Sequence, residues 1–131
     1  MIQRLEKLRS LILEKYPESR LTPIPDVTMD ALIKRFPDIP EHLLQSLRII
    51  GAGTIGFPNY AIHLPFEAHY VYGPEATNLD GIVFVGDDCS ETHEAYDTKN
   101  NWQFGSVGGD GNFEKSNCEN FIEFLEDWFG S

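Results

Sequence analysis

GIVFVGDDCSETHEAYD, residues Gly81 to Asp97, joins the most nonpolar segment of the chain to its densest run of carboxylates. Ile82-Val83-Phe84-Val85 has the β-branched and aromatic character of a strand buried on both faces. Gly86-Asp87-Asp88 punctuates it, and a second segment, Thr92 to Asp97, reads as the partner strand. The rest of the chain is expected to pack this hairpin or to extend its charge.

Outward from that centre, the pattern is helical at both ends. Ile2, Leu5, Leu8, Ile12 and Tyr16 recur at three- and four-residue steps, which predicts an amphipathic helix over 2–16 that Pro17 ends. A Pro-containing connector follows, extended around Pro23 and Pro25. Met29, Leu32, Ile33 and Phe36 form the stripe of a second, short helix capped by Asp26 or Thr28. Pro40 and Glu41 open a third, with Leu43, Leu44, Leu47 and Ile50 on its buried face, and Gly51-Ala52-Gly53 stops it. At the other end, Ser116 to Glu119 fits a capping box. Beyond it Phe121, Ile122, Phe124, Leu125, Trp128 and Phe129 make a broad apolar helical face.

Between the helices the period falls to two. Tyr60-Ala61-Ile62-His63-Leu64 reads as a strand interrupted by Pro65, His69-Tyr70-Val71-Tyr72 as another, and Trp102–Phe104 as a third beyond the hairpin. Gly105 to Gly111 holds four glycines in seven residues and reads as a loose loop. Helices gathered around a central run of short strands predict one α+β domain over 1–131, with a central antiparallel or mixed sheet.

Composition restricts the function. The 131 residues are 41% hydrophobic and 24% charged, an ordinary globular balance with enough apolar mass for one core. No apolar run is long enough to span a membrane, and acids and bases interrupt the N-terminal stretch where a signal peptide needs an apolar core. Cys89 and Cys118 lack metal or redox spacing and are expected to be reduced thiols. Together these features suggest a cytoplasmic protein. The formal net charge is −11, and residues 51–131 carry it, with two Lys/Arg against fourteen Asp/Glu. Such a field disfavours nucleic acid and anionic membranes, and suits either a basic protein partner or simple solubility.

Several catalytic patterns occur in part, without the spacing or context that their chemistry needs. Asp87, Asp88, Glu91, His93, Glu94 and Asp97 suggest a hard-cation site. A calcium loop starting at Asp87, however, would need glycine where Thr92 stands, and one starting at Asp110 meets Lys115 there. His93-Glu94-Ala95-Tyr96-Asp97 resembles a zinc HExxH motif, but ends in Asp and falls on an expected strand rather than a helix. Gly51-Ala52-Gly53-Thr54-Ile55-Gly56 spells GxGxxG, yet follows a helix and precedes strands, the reverse of the dinucleotide-binding order. Gly105–Gly111 lacks the Lys-Ser/Thr ending of a phosphate loop. Cys89 has His93 nearby, but its carboxylate neighbours oppose a thiolate. No cofactor or metal follows from these motifs.

The order of the pieces carries a resemblance. Ile39-Pro40-Glu41-His42-Leu43-Leu44 leads to a glycine turn. Then come Ile82-Val83-Phe84-Val85-Gly86-Asp87-Asp88, a strand ending in Tyr96-Asp97, and Asn117-Cys118-Glu119-Asn120-Phe121-Ile122-Glu123-Phe124-Leu125. Across essentially the whole chain this resembles the SUKH superfamily, relatives of the yeast cell-wall-synthesis regulator domain. Departures occur at Cys89-Ser90-Glu91, where the family often has further glycine, and at Asn120-Phe121, where it has Ser-Phe.

The resemblance implies a sheet backed by helices and a non-enzymatic role, often as an immunity protein that binds a toxin such as a nuclease. In that role Asp87, Asp88, Glu91 and Glu94 are the expected acidic contacts, and Tyr70 and Tyr72 the aromatic anchors. For each of them, a solvated turn or a packed sheet face is the competing expectation. Two alternatives stand beside it: a regulatory or scaffold domain with a non-toxin partner, and a small metal-dependent hydrolase using the Asp87–Asp97 cluster.

Overall fold

The structure, a computed structural model, describes residues 1–130. Seven strands form one sheet in which strand order follows chain order and every neighbouring pair is antiparallel. These are β1 (Arg20–Thr22), β2 (Ala52–Ile55), β3 (Tyr60–Glu67), β4 (Ile82–Asp87), β5 (His93–Asp97), β6 (Gln103–Val107) and β7 (Phe113–Lys115). Helices α1 (Ile2–Lys15), α2 (Asp26–Arg35) and α3 (Glu41–Ile49) precede most of the sheet, α4 (His69–Tyr72) lies between β3 and β4, and α5 (Phe121–Phe129) ends the described chain. The architecture is the expected α+β arrangement, with an antiparallel sheet.

The larger core forms where the helices cover one sheet face. Leu5, Leu8 and Ile12 of α1, Leu43 and Leu47 of α3, and Phe121, Ile122, Leu125 and Phe129 of α5 pack on Ile55, Tyr60, Ile62, Val85, Tyr96 and Phe104 from the strands. Each such large apolar side chain contributes ~1.5–3 kcal/mol when fully buried. The opposite face carries a smaller cluster of Ile82, Phe84, Ala95 and Val107, roofed by Ala68, Tyr72 and Leu79 from the β3–β4 connection. With both faces covered, Ile82 to Val85 is buried throughout, as its unbroken apolar run requires.

Several expectations needed correction. His69–Tyr72 is a single helical turn, not a strand: the connection between the paired strands β3 and β4 folds back over the smaller cluster, where Tyr72 packs. Pro65 does not end its strand. Ile62 pairs with Gly86 and Phe66 with Phe84, so the ladder is irregular between them, and a residue without an N–H is tolerated there. Gly51-Ala52-Gly53 stops α3 but also enters β2, and Gly105 lies inside β6 rather than in the loop. The Pro-rich connector contains β1, and the segment after Gly111 contains β7.

The caps also differ. Neither Asp26 nor Thr28 caps α2, which starts after Pro25 without a side-chain cap. For α5 the N-cap is Asn120, whose side chain accepts from Glu123 N–H at 2.9 Å, rather than Ser116. Ile33 and Trp128, both placed on apolar stripes, are exposed.

Candidate functional site

Because consecutive strands alternate direction, the connections before β1, between β2 and β3, between β4 and β5, and between β6 and β7 meet at one end of the sheet. These connections, residues 16–19, 56–59, 88–92 and 108–112, contain Glu18, Asp88, Glu91 and Asp110 and no Lys or Arg. The turns at this end thus carry acidic side chains and no basic ones, with Arg20 of β1 exposed beside Glu18 and Phe57, while most carboxylates of the second half lie elsewhere.

The β4–β5 turn is built by its own carboxylates. Asp87 accepts from Cys89 N–H at 2.7 Å with one oxygen and meets His63 Nε2 with the other. Asp88 accepts from Ser90 N–H at 2.9 Å and Thr92 N–H at 3.1 Å through one oxygen, while its own N–H donates to Thr92 O. Short acidic side chains satisfy turn amides in this way, and they hold Cys89 at a left-handed φ of 63°. Burial pushes the Asp87 pKa upward, but hydrogen bonds from His63 and Cys89 outweigh it, so the carboxyl stays below its ordinary range. The Cys89 thiol is pushed up by burial and by Asp87 and Asp88, the opposite of what a nucleophile needs.

Strand alternation separates the remaining carboxylates of the Asp87–Asp97 segment. His93 faces the small cluster, stacked on the Phe84 ring at 4.4 Å. Glu94 faces the helix-covered core beside Tyr96, is 4% exposed, and accepts from the Tyr60 hydroxyl. Asp97 caps the following helical turn by accepting from Lys99 N–H. These side chains do not converge, and among the described residues no three His, Cys, Asp or Glu side chains form a group able to hold a metal ion.

The six expected partner contacts therefore divide. Asp87, Asp88 and Glu91 lie together on the β4–β5 turn, with Glu91 exposed and Asp87 largely occupied in holding the turn. Glu94 belongs to the interior, a correction that follows from the two-residue period it shares with Tyr96. Tyr72 is half-buried, and its hydroxyl donates to Gly108 O at 3.3 Å, tying the β3–β4 connection to the β6–β7 loop. Tyr70 is exposed but stands at the opposite end of the sheet: it follows Glu67, which pairs with Val83, and lies 5.7 Å beneath the Arg35 guanidinium.

The acidic end also presents an uncovered aromatic side chain. Phe57, between β2 and β3, is 94% exposed. Its turn is held by a 3.0 Å bond from Gly56 N–H to Ser19 Oγ and one of 2.7 Å from Asn59 N–H to Ile55 O. The tripeptide Phe57-Pro58-Asn59 signals a turn, but nothing in it indicates that the ring is left uncovered.

Scans of protein-family models, of curated proteins and of solved structures found no match to this chain. Among the described residues, no helix is long and apolar enough to cross a membrane.

Proposed function

We propose that this chain is a non-enzymatic, cytoplasmic binding protein whose acidic sheet end engages a basic protein, and that the partner is a toxin, such as a nuclease, which binding neutralises. The supporting observation is the convergence of four turns that bear Glu18, Asp88, Glu91 and Asp110 and no basic residue. A surface that meets nucleic acid is rich in Lys and Arg, and an acidic face complements it, speeds encounter and rejects anionic competitors. Exposed Phe57 gives the same end an aromatic side chain of the kind that anchors interfaces. The toxin assignment rests on the resemblance to SUKH immunity proteins.

The test is titration calorimetry with a catalytically inactivated toxin encoded beside this chain's gene. The variant Asp88→Asn/Glu91→Lys/Asp110→Lys should bind about tenfold or more weakly at low salt, with a shallower salt dependence. Unchanged affinity at low salt rejects the acidic end as the interface. Absence of any binding by the wild-type chain favours a regulatory domain with another partner.

A further inference from the structure

A carboxyl group inside the domain stands directly beneath this turn. Glu94 of β5 is 4% exposed, and the hydroxyl of Tyr60 on β3 is its one side-chain hydrogen-bond donor among the described residues. The Arg–carboxylate pairs form elsewhere, Arg4 with Glu126, Arg35 with Glu67 and Arg48 with Asp26. The surroundings offer an anionic Glu94 little support. Tyr60 is packed by Phe121, Phe124, Trp128 and Phe129 of α5, none of which is charged. Across the ladder on β6 stands Ser106. The charged groups bearing on Glu94 are Asp87 and Asp88, both negative, while His63 and His93 act on Asp87 instead.

The pair is also fixed in place. A Cβ on Gly86, the β4 residue opposite Glu94, would lie 2.3 Å from the Tyr60 hydroxyl, so the phenol occupies the space that only glycine leaves open. Burial, with Asp88 and Asp87 adding to it, pushes the Glu94 carboxyl up to about 7 against opposing hydrogen bonds from Tyr60 and from the backbone of Glu94 itself.

We propose that Glu94 is a proton-binding group that couples the order of the β4–β5 turn to pH, the neutral carboxyl permitting the closed turn and its ionisation opening that end of the hairpin. The coupling runs through Asp88. Its carboxylate is the acceptor on which Ser90 and Thr92 N–H converge, so it holds the turn shut. A charge on Glu94 repels Asp88 and also demands hydration that the interior does not supply. Withdrawal of Glu94 toward solvent at the start of β5 restores its hydration and lets water screen the repulsion from Asp88. The sign follows: proton uptake on acidification orders the turn, and release on alkalinisation loosens it. This coupling is a property of the domain alone and does not depend on what the turn binds.

Carbon-13 and nitrogen-15 NMR titration of the isolated chain tests the coupling. The Glu94 side-chain carboxyl and the amides of Asp88, Ser90 and Thr92 should titrate together with a midpoint near 7, against ~4.3 for a free Glu side chain. Glu94→Gln should abolish the amide transition. Tyr60→Phe removes the donor that favours the ionised form, so it should move the shared midpoint upward. A Glu94 midpoint below ~5 overturns the proposal. So does a turn transition that persists unchanged in Glu94→Gln, since another group then causes it. Should Glu94→Gln fail to fold, Tyr60→Phe decides: carboxyl and amide midpoints must rise together, and movement of only one refutes the coupling.

Discussion

Replacing Tyr96 with Phe removes one oxygen and, by this structure, uncouples three elements. The Tyr96 hydroxyl lies in the core, accepts from Phe121 N–H at 2.9 Å and stands 2.8 Å from His42 Nε2. Phe121 N–H is one of the amides at the start of α5 that have no acceptor within the helix, and its residue is 1% exposed, so water does not replace the hydroxyl easily. The neutral His42 ring protonated on Nδ1 lets the phenol donate to Nε2 while its oxygen accepts from α5. Leaving a buried amide unpaired costs ~1–3 kcal/mol. His42 is half-buried and recovers part of its loss through solvent, so the expected destabilisation is about 2 kcal/mol, dominated by the amide.

Urea denaturation followed by tryptophan fluorescence measures it. With a slope of ~1.5 kcal/mol per molar, the midpoint should fall by roughly 1.3 M at unchanged slope. The pH dependence supplies a second check. Burial lowers the His42 pKa, with Glu119 opposing more weakly. The stability contributed by the neutral ring is therefore complete above the unfolded value of ~6.5 and is lost as pH falls through the lower folded value. Tyr96→Phe removes the donor that favours the neutral ring and should flatten that loss. A midpoint change below ~0.3 M, with the acid-side dependence intact, would show that α5 is not held by this hydroxyl.

Two further perturbations probe the frame around the site. Asn120→Ala removes the side-chain acceptor for Glu123 N–H and should cost about 1 kcal/mol, read as a fall of ~4 °C in thermal midpoint. Gly53→Ala forces a Cβ to within 1.9 Å of Arg20 O at a φ of 137°, so it should detach β1 selectively. Hydrogen exchange is expected to accelerate in Arg20–Thr22 while β4 and β5 stay protected, and uniform protection would contradict the close approach.

The parts of the fold legible in the sequence are those in which many residues repeat one instruction. Helices α1, α3 and α5 present their buried residues at helical spacing, and β4 is apolar because both of its faces are covered. Strands β1 and β7 span three residues each, too short for any period to stand out, and they exist because a neighbouring strand supplies their ladder. Pro65 looked like a terminator because the irregularity that accommodates it depends on register with β4, a non-local property.

At the candidate site the lesson differs. Glu94 stands two residues before Tyr96, so alternation alone places both on one face; its charge misleadingly suggested solvent. The pairing of Asp87 with His63 joins residues 24 apart and needs the β3–β4 ladder to be seen. Asp87-Asp88 followed by Cys89-Ser90 did carry a local signal, that of acidic side chains turning back onto their own amides.

The unbroken strand order of the sheet has a kinetic consequence. Except between β1 and β2, where α2 and α3 intervene, each strand finds its partner through the next connection along the chain. Apart from the longer β3–β4 connection, residues 68–81, the loops to be closed are short, so the entropy lost before those ladders are rewarded is small. The central strands can accordingly zip outward from the β4–β5 hairpin without waiting for distant segments. Docking of α1 on α5 is the opposite case: Arg4 Nε reaches Glu126 at 2.8 Å across a sequence separation of 122 residues. Closure of the helical layer is thus the slow, high-contact-order event, and the meander can form before the core that finally holds it is complete.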